Sequence, residues 1–207
     1  NMSYREFCTR IYGLKNNPAE IGVYCARGDL LEIQILMNMN PPILPTQGDA
    51  NNVAKRGHLD VLKYLVSQNI SPTQSGVEWI AAYGHMEVIK YLISLGLRPT
   101  SFGASWTAAK GHLDVLKYLV SQDIRPTSGG AELAAENGHL DVLKYLVSLG
   151  IRPTQVGADS AAINGHLEIL KYLISLGILP TQRIVNMLND KPLMKYLASL
   201  NPPIVPN

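Results

Sequence analysis

The phrase GHLDVLKYLVS occurs three times without a change of letter, at residues 57–67, 111–121 and 138–148. Aligned on its first glycine, the chain shows Gly57, Gly84, Gly111, Gly138 and Gly165, each 27 residues after the last. Twelve residues before each glycine stands a proline followed by threonine, at Pro45, Pro72, Pro99, Pro126 and Pro153, and Pro180 with Thr181 opens one more unit. A unit this short cannot bury its own apolar face, so strict repetition at such a period requires neighbours to stack on one another.

Each unit reads as two helices. Proline fixes the chain, threonine is placed to cap the first helix, and alanine recurs three residues before the glycine at Ala54, Ala81, Ala108, Ala135 and Ala162, where a small side chain lets helices approach. Glycine ends the first helix. The second shows apolar residues at helical spacing, as in Leu59, Val61, Leu62, Leu65 and Val66. Its polar stripe sets Asp60, Glu87, Asp114, Asp141 and Glu168 three residues before Lys63, Lys90, Lys117, Lys144 and Lys171, a spacing that makes neighbours on a solvated face. The expected fold class is all-α, a solenoid of stacked helix-turn-helix repeats.

Units such as AAYGHMEVIKYLISLG and AAENGHLDVLKYLVSLG resemble the ankyrin repeat, with its alanine-rich first helix, Gly-His-Leu-Glu-Val turn and leucine-rich second helix. The resemblance is strong over 46–180 and weak at the flanks. The family unit has about 33 residues; the residues missing here fall between successive units, where GIRPT or NISPT replaces the family's hairpin, so truncated or absent hairpins are expected. The phrases are also similar to those of ankyrin-type proteins of giant DNA viruses of amoebae, which suggests a viral source. The expected organisation is a capping helix over 2–17, with Ser3 and Glu6 as a capping box, a degenerate first repeat over 18–45, five units over 46–180 and a C-terminal capping repeat over 181–207. Both end units close on nearly one word, NPPILP at 40–45 and NPPIVP at 201–206.

Composition narrows the class further. Charged residues are 16% and the net charge is +2, which gives no strong global attraction for nucleic acid. Cys8 and Cys25 lack metal or disulfide spacing, no apolar run approaches the roughly 20 residues that cross a bilayer, and no leader-like apolar stretch opens the chain. The expectation is a monomer in a reducing compartment, cytoplasmic or nuclear, within a host cell if viral, and not at a membrane. All five histidines, His58, His85, His112, His139 and His166, occupy the slot after the turn glycine. Whole-repeat spacing separates them by roughly 10 Å, too far to share a metal. The resemblance implies that this histidine braces the turn by hydrogen bonding. No nucleophile-histidine pair is then left to propose, and TSGGAE at 127–132 merely varies a slot that also holds Gly76, Gly103 and Gly157. Glu78, Glu132 and Asp159 share one column and read as a polar helix face. Neither enzymatic activity, cofactor nor metal is expected.

If stacking dictates the constant columns, recognition belongs to the variable ones. Positions nine, five and one before the glycine fall on one side of the first helix, opposite core residues such as Val77, Ile80 and Ala81. Trp79 and Trp106 share one of these columns, with Tyr83 a turn after the first and Phe102 a turn before the second. Such residues anchor protein interfaces; the alternative is that they shield the first helices where hairpins are missing. A basic ladder, Arg98, Arg125 and Arg152, precedes three of the prolines. With Lys55, Arg56 and Lys110 it is placed either to meet phosphates or an acidic protein, or simply to relieve helix C-terminal dipoles. The leading expectation is a non-enzymatic scaffold binding a protein through Trp79, Tyr83, Phe102, Trp106, Lys110, Arg98, Arg125 and Arg152. Nucleic-acid binding through the basic ladder and structural self-association are the alternatives.

Overall fold

The computed structural model describes residues 19–188, 191–200 and 203–205. The expected capping helix over 2–17, its Ser3 and Glu6 box and Cys8 lie outside the described residues. The described residues hold fourteen α-helices and no strand. One compact unit, ending at Arg98, contains α1 (Ala19–Arg27), α2 (Leu30–Met37), α3 (Gln47–Lys55), α4 (Leu59–Ser67), α5 (Gln74–Ala81) and α6 (Met86–Ser94). The other, from Pro99, contains α7 (Ser101–Ala109), α8 (Leu113–Ser121), α9 (Ser128–Glu136), α10 (Leu140–Ser148), α11 (Gln155–Ile163), α12 (Leu167–Ser175), α13 (Gln182–Met187) and α14 (Lys191–Ala198). The architecture is the helical-repeat solenoid expected, and extended backbone such as 70–73 joins one repeat to the next with no hairpin.

Within each unit, odd-numbered helices pack on the next odd-numbered helix, α1 on α3 on α5 and α7 on α9 on α11, while the even-numbered helices from α2 to α12 pack each on its own partner. Small side chains permit this approach. Ala54, Ala81, Ala108 and Ala135 are fully buried, and so are Val61, Leu62 and Leu65 of α4 and their equivalents in α8 and α10. Each such aliphatic side chain contributes about 1.5–3 kcal/mol. The glycine slot of TSGGAE serves the same contact, since a Cβ on Gly76 would run into the Asn51 side chain and one on Gly130 would stand 3.0 Å from Ser105 Cα.

Threonine caps the first helices as expected. The Thr46 hydroxyl accepts from Asp49 N–H at 3.2 Å and Thr73 accepts from Gly76 N–H at 3.0 Å, with the same role for Thr100, Thr154 and Thr181. Thr127 makes no such bond. The helix then ends on a left-handed glycine, Gly57 at φ +82°, whose neighbour His58 sends its backbone N–H back to Val53 at 3.2 Å.

Histidine does brace a turn, but that of the preceding repeat. His58 Nε2–H donates to the Ala26 carbonyl at 3.2 Å, His85 to Lys55 at 3.1 Å and His166 to Glu136 at 2.9 Å. These carbonyls sit in the last turn of the previous odd-numbered helix, where no backbone donor reaches them within the helix. The ring also lies against the preceding glycine: a Cβ on Gly28, Gly57 or Gly111 would stand 2.5, 2.6 or 2.5 Å from Nδ1 of His58, His85 or His139. Glycine is thus required twice over, for its positive φ and for the ring of the next repeat.

The even-numbered helices end on a second left-handed residue. Gly96, Gly150 and Gly177 take it at φ +82°, +80° and +78°, whereas Asn69 and Asp123 hold the same place at +63° and +62°. A Cβ there meets nothing within 4 Å at Gly96, Gly150 or Gly177, so conformation alone sets the preference. Asn69→Gly is expected to raise stability by about 0.5 kcal/mol, read as a later urea midpoint. The paired NPPILP and NPPIVP words gain a physical account too. In ordinary repeats Ile70 N–H returns to Leu65 at 2.9 Å; in the end units Ile43 N–H returns to Leu36 and Ile204 N–H to Leu197, both at 3.0 Å, across a connection two residues longer. At NPPILP the word rebuilds the same closure without a left-handed residue at that place.

Candidate functional site

The outward columns of the odd-numbered helices are where the two aromatic groups lie, one in each compact unit. In the first, Trp79 is 43% and Tyr83 49% exposed. Lys55, at the end of α3, carries its ammonium 5.3 Å from the centroid of the Tyr83 ring, a cation–π contact that fixes the lysine across the end of α5. Asn51, Lys55, Ser75, Gly76 and Trp79 line a groove of about 170 Å³ between α3 and α5. It exists because Ser75 and Gly76 are small where α5 passes α3, and its Asn51 edge is held in place: Asn51 Oδ1 accepts from Thr73 N–H at 3.0 Å and Nδ2 donates to Thr73 Oγ1 at 3.2 Å. Arg56, the residue after Lys55 in the chain, is exposed.

In the second unit Phe102 is 50% exposed and meets Trp106 edge to face, at 6.2 Å between centroids and 71° between planes. Trp106 is half-buried and Lys110 exposed. The two indoles are therefore not equivalent despite their shared column: Trp79 forms a groove wall, while Trp106 lies partly under Phe102. Neither is sealed inside. Arg98, Arg125 and Arg152 are all exposed at the connections, Arg98 in the first unit and the other two in the second. Arg125 Nε stands 3.8 Å from Asp123 Oδ1, so part of its charge is answered locally.

Two sequence readings need correction. Glu132 and Asp159 do not form a plain solvated face; they clasp the next repeat. Asp159 Oδ1 accepts from Thr181 N–H at 2.6 Å and Oδ2 from the Thr181 hydroxyl at 3.0 Å, and Glu132 Oε1 accepts from the Thr154 hydroxyl at 2.6 Å. Asn51 and Ser105 fill the same column with the same partner position, Ser105 Oγ accepting from Thr127 N–H at 3.2 Å. At Thr46 the bond comes from Asp49 of its own helix, at 2.7 Å to both the N–H and the hydroxyl. The column read as a polar face because carboxylate, amide and hydroxyl oxygens all do one job in it, accepting from a backbone N–H. Its signal was that every member is an acceptor.

The acid–lysine stripe of the even-numbered helices is likewise only half as read. Lys90 and Lys171 pair with Glu87 and Glu168 at 2.8 and 2.7 Å. Lysines also lie over a tyrosine of the following repeat, Lys63 on Tyr91, Lys117 on Tyr145 and Lys144 on Tyr172 at 5.7–5.8 Å, and Lys171 does both, with Tyr196 at 5.6 Å. These pairs tie repeat to repeat within each unit.

Other chemistry is sparse. Cys25 is buried with a free thiol, and burial, reinforced by the Asp49 carboxylate, pushes it up to about 12, which leaves it protonated and unreactive. Among the described residues no three His, Cys, Asp or Glu side chains converge on one point, and no helix is long and apolar enough to cross a membrane. The residue that sequence reasoning missed is Asn51; Ser75 lies in the column nine before the glycine, and Lys55 was counted with the basic turns rather than with Trp79. Only the packing of α5 on α3 shows that these positions, 24 residues apart, meet at one groove.

A helical-repeat protein whose constant columns join one repeat to the next, and whose discordant ones face outward, is the class that this geometry defines. Residues 132–174, from within α9 to within α12, match the family model for ankyrin repeats (many copies). No curated protein matches the chain in sequence. Among solved structures it is similar to the pentatricopeptide repeat protein PPR10 in complex with an 18-nt psaJ RNA element, at 14% identity and a TM-score of 0.42 over 86% of this chain and 30% of that one. It is similar also to PPR10 from maize, at 17% identity and 0.41 over 82% and 30%. The chain spans under a third of the length of these proteins.

Proposed function

We propose that the protein is a non-enzymatic ankyrin-repeat scaffold that binds a protein partner through the outward columns of its odd-numbered helices and the connections between repeats. Trp79 and Tyr83 serve as anchors in the first unit and Phe102 with Trp106 in the second. Lys110, Arg98, Arg125 and Arg152 supply rim charge. The observation that carries the reading is the Trp79 groove: a large aromatic left 43% exposed beside a fixed cation, on helices whose other faces are occupied by packing. Aromatics and arginine dominate the residues whose truncation costs 2 kcal/mol or more at interfaces. Ankyrin repeats at 132–174 support the scaffold role. Trp79→Ala with Trp106→Ala should abolish capture of a partner from cell lysate while leaving the helical circular dichroism intact; undiminished capture would reject the assignment.

Nucleic-acid binding is the second reading, favoured by the exposure of Arg98, Arg125 and Arg152. Titration against mixed DNA and RNA at rising salt decides it, because phosphate contacts weaken steeply with salt. We place the protein in a reducing compartment, cytoplasmic or nuclear, in keeping with its free Cys25.

A further inference from the structure

We infer that the groove between α3 and α5 takes a short acidic segment of a protein, seating one bulky apolar side chain against Trp79 while flanking carboxylates meet Lys55 and Arg56. The inference rests on the scaffold reading and adds to it the chemistry of the partner. Three observations lead here. The groove, about 170 Å³, is smaller than the roughly 300–1,000 Å³ of pockets that enclose a whole small molecule, and matches a single inserted side chain. Trp79 and Gly76 are among its lining residues, while Asn51 already exchanges hydrogen bonds with Thr73, so the site offers contact area to an apolar group rather than a polar cradle.

The charge balance of the face is one-sided. Arg56 is exposed, and Lys55 spans the groove to Tyr83. Of the two carboxylates of α3 and α5, Asp49 is engaged by Thr46 N–H and hydroxyl at 2.7 Å, and Glu78 is half-buried in the column that elsewhere clasps the next repeat. A partner that brings negative charge therefore meets complementary potential, whereas a basic one is repelled. Single-stranded nucleic acid would also bring negative charge, but stacking needs open ring faces, and one face of Tyr83 is covered by the Lys55 ammonium.

Selection of a random nine-residue peptide library on the whole chain tests this, with Trp106→Phe in the chain so that Trp79 is the sole indole reporter. The expected pool is rich in Asp and Glu around one Leu, Ile, Met or Phe. Its members should shift Trp79 emission and weaken steeply with salt, and they should lose at least tenfold in affinity on Lys55→Glu with Arg56→Glu. Arg56 is exposed and Lys55 half-buried, and a matching circular dichroism spectrum certifies the fold of that variant. A pool without acidic bias, acidic peptides that bind the charge-reversed chain equally well, or displacement of the peptides by oligo(dT) at stoichiometric ratio would each overturn the inference. If the charge preference is missing while Trp79→Ala with Trp106→Ala still abolishes lysate capture, the acidic-segment inference alone fails. If capture survives those alanines, the wider scaffold reading fails whatever the peptides show.

Discussion

Gly57→Ala is expected to destabilise the protein by about 3 kcal/mol, against about 1–2 kcal/mol for Gly96→Ala, although both glycines lie in the same unit at the same φ of +82°. The left-handed conformation costs each alanine the same. The difference comes from what the new Cβ meets: nothing within 4 Å at Gly96, but at Gly57 the His85 ring, with Nδ1 at 2.6 Å. The ring must move, and with it goes its bond to the Lys55 carbonyl at 3.1 Å, leaving a helix-end carbonyl unpaired at a cost of about 1–3 kcal/mol. Urea unfolding of the two variants checks the gap. His85→Ala in the Gly57→Ala background should cost less than His85→Ala alone, since the ring's contribution is already spent. Equal losses for Gly57→Ala and Gly96→Ala would show that the histidine is a bystander.

Asp159→Ala is the second large effect. Its two oxygens accept from the Thr181 N–H at 2.6 Å and hydroxyl at 3.0 Å, and charge-assisted bonds of this kind contribute about 1.5–3 kcal/mol each at most, less where water replaces them. A loss of about 2 kcal/mol is expected, concentrated at the last repeats, because repeat proteins are joined through nearest neighbours. Amide exchange should therefore rise first in α13 and α14, while α7 stays protected. Asp159→Asn, which keeps one acceptor, should recover about half, as Asn51 does the same job with an amide at Thr73. Loosening spread evenly over the whole chain would contradict a local clasp.

Much of this was legible before any coordinates, and the reason is periodicity. A 27-residue interval placed the helices, the turn glycines, the buried alanines and the threonine caps, because each of those jobs admits few residue types: positive φ selects glycine, and close helix approach selects alanine or glycine. What stayed hidden were jobs that many residue types can do. The clasp accepts Asn, Ser, Glu or Asp, so its column looked like a plain polar helix face. The reach of His85 to Lys55 joins residues 30 apart, a separation that no single unit displays. The aromatic columns were found, but not their inequality, since the covering of Trp106 by Phe102 and the opening of a groove at Trp79 depend on ring orientations that spacing does not encode.

At the centre of this account is a division of labour, with unvarying positions supplying cohesion and discordant outward ones left for a partner. Urea unfolding of Trp79→Ala beside Gly57→Ala tests it most directly. Trp79 is nearly half exposed and Gly57 carries no side chain at all, so intuition from size would give the larger loss to the tryptophan. The expected result is the reverse, with the Trp79→Ala midpoint close to that of the parent chain and the Gly57→Ala midpoint far below it. A tryptophan variant that unfolds at the lower urea concentration would make the aromatic face a shield for the helices, and would contradict its reading as a surface kept for binding.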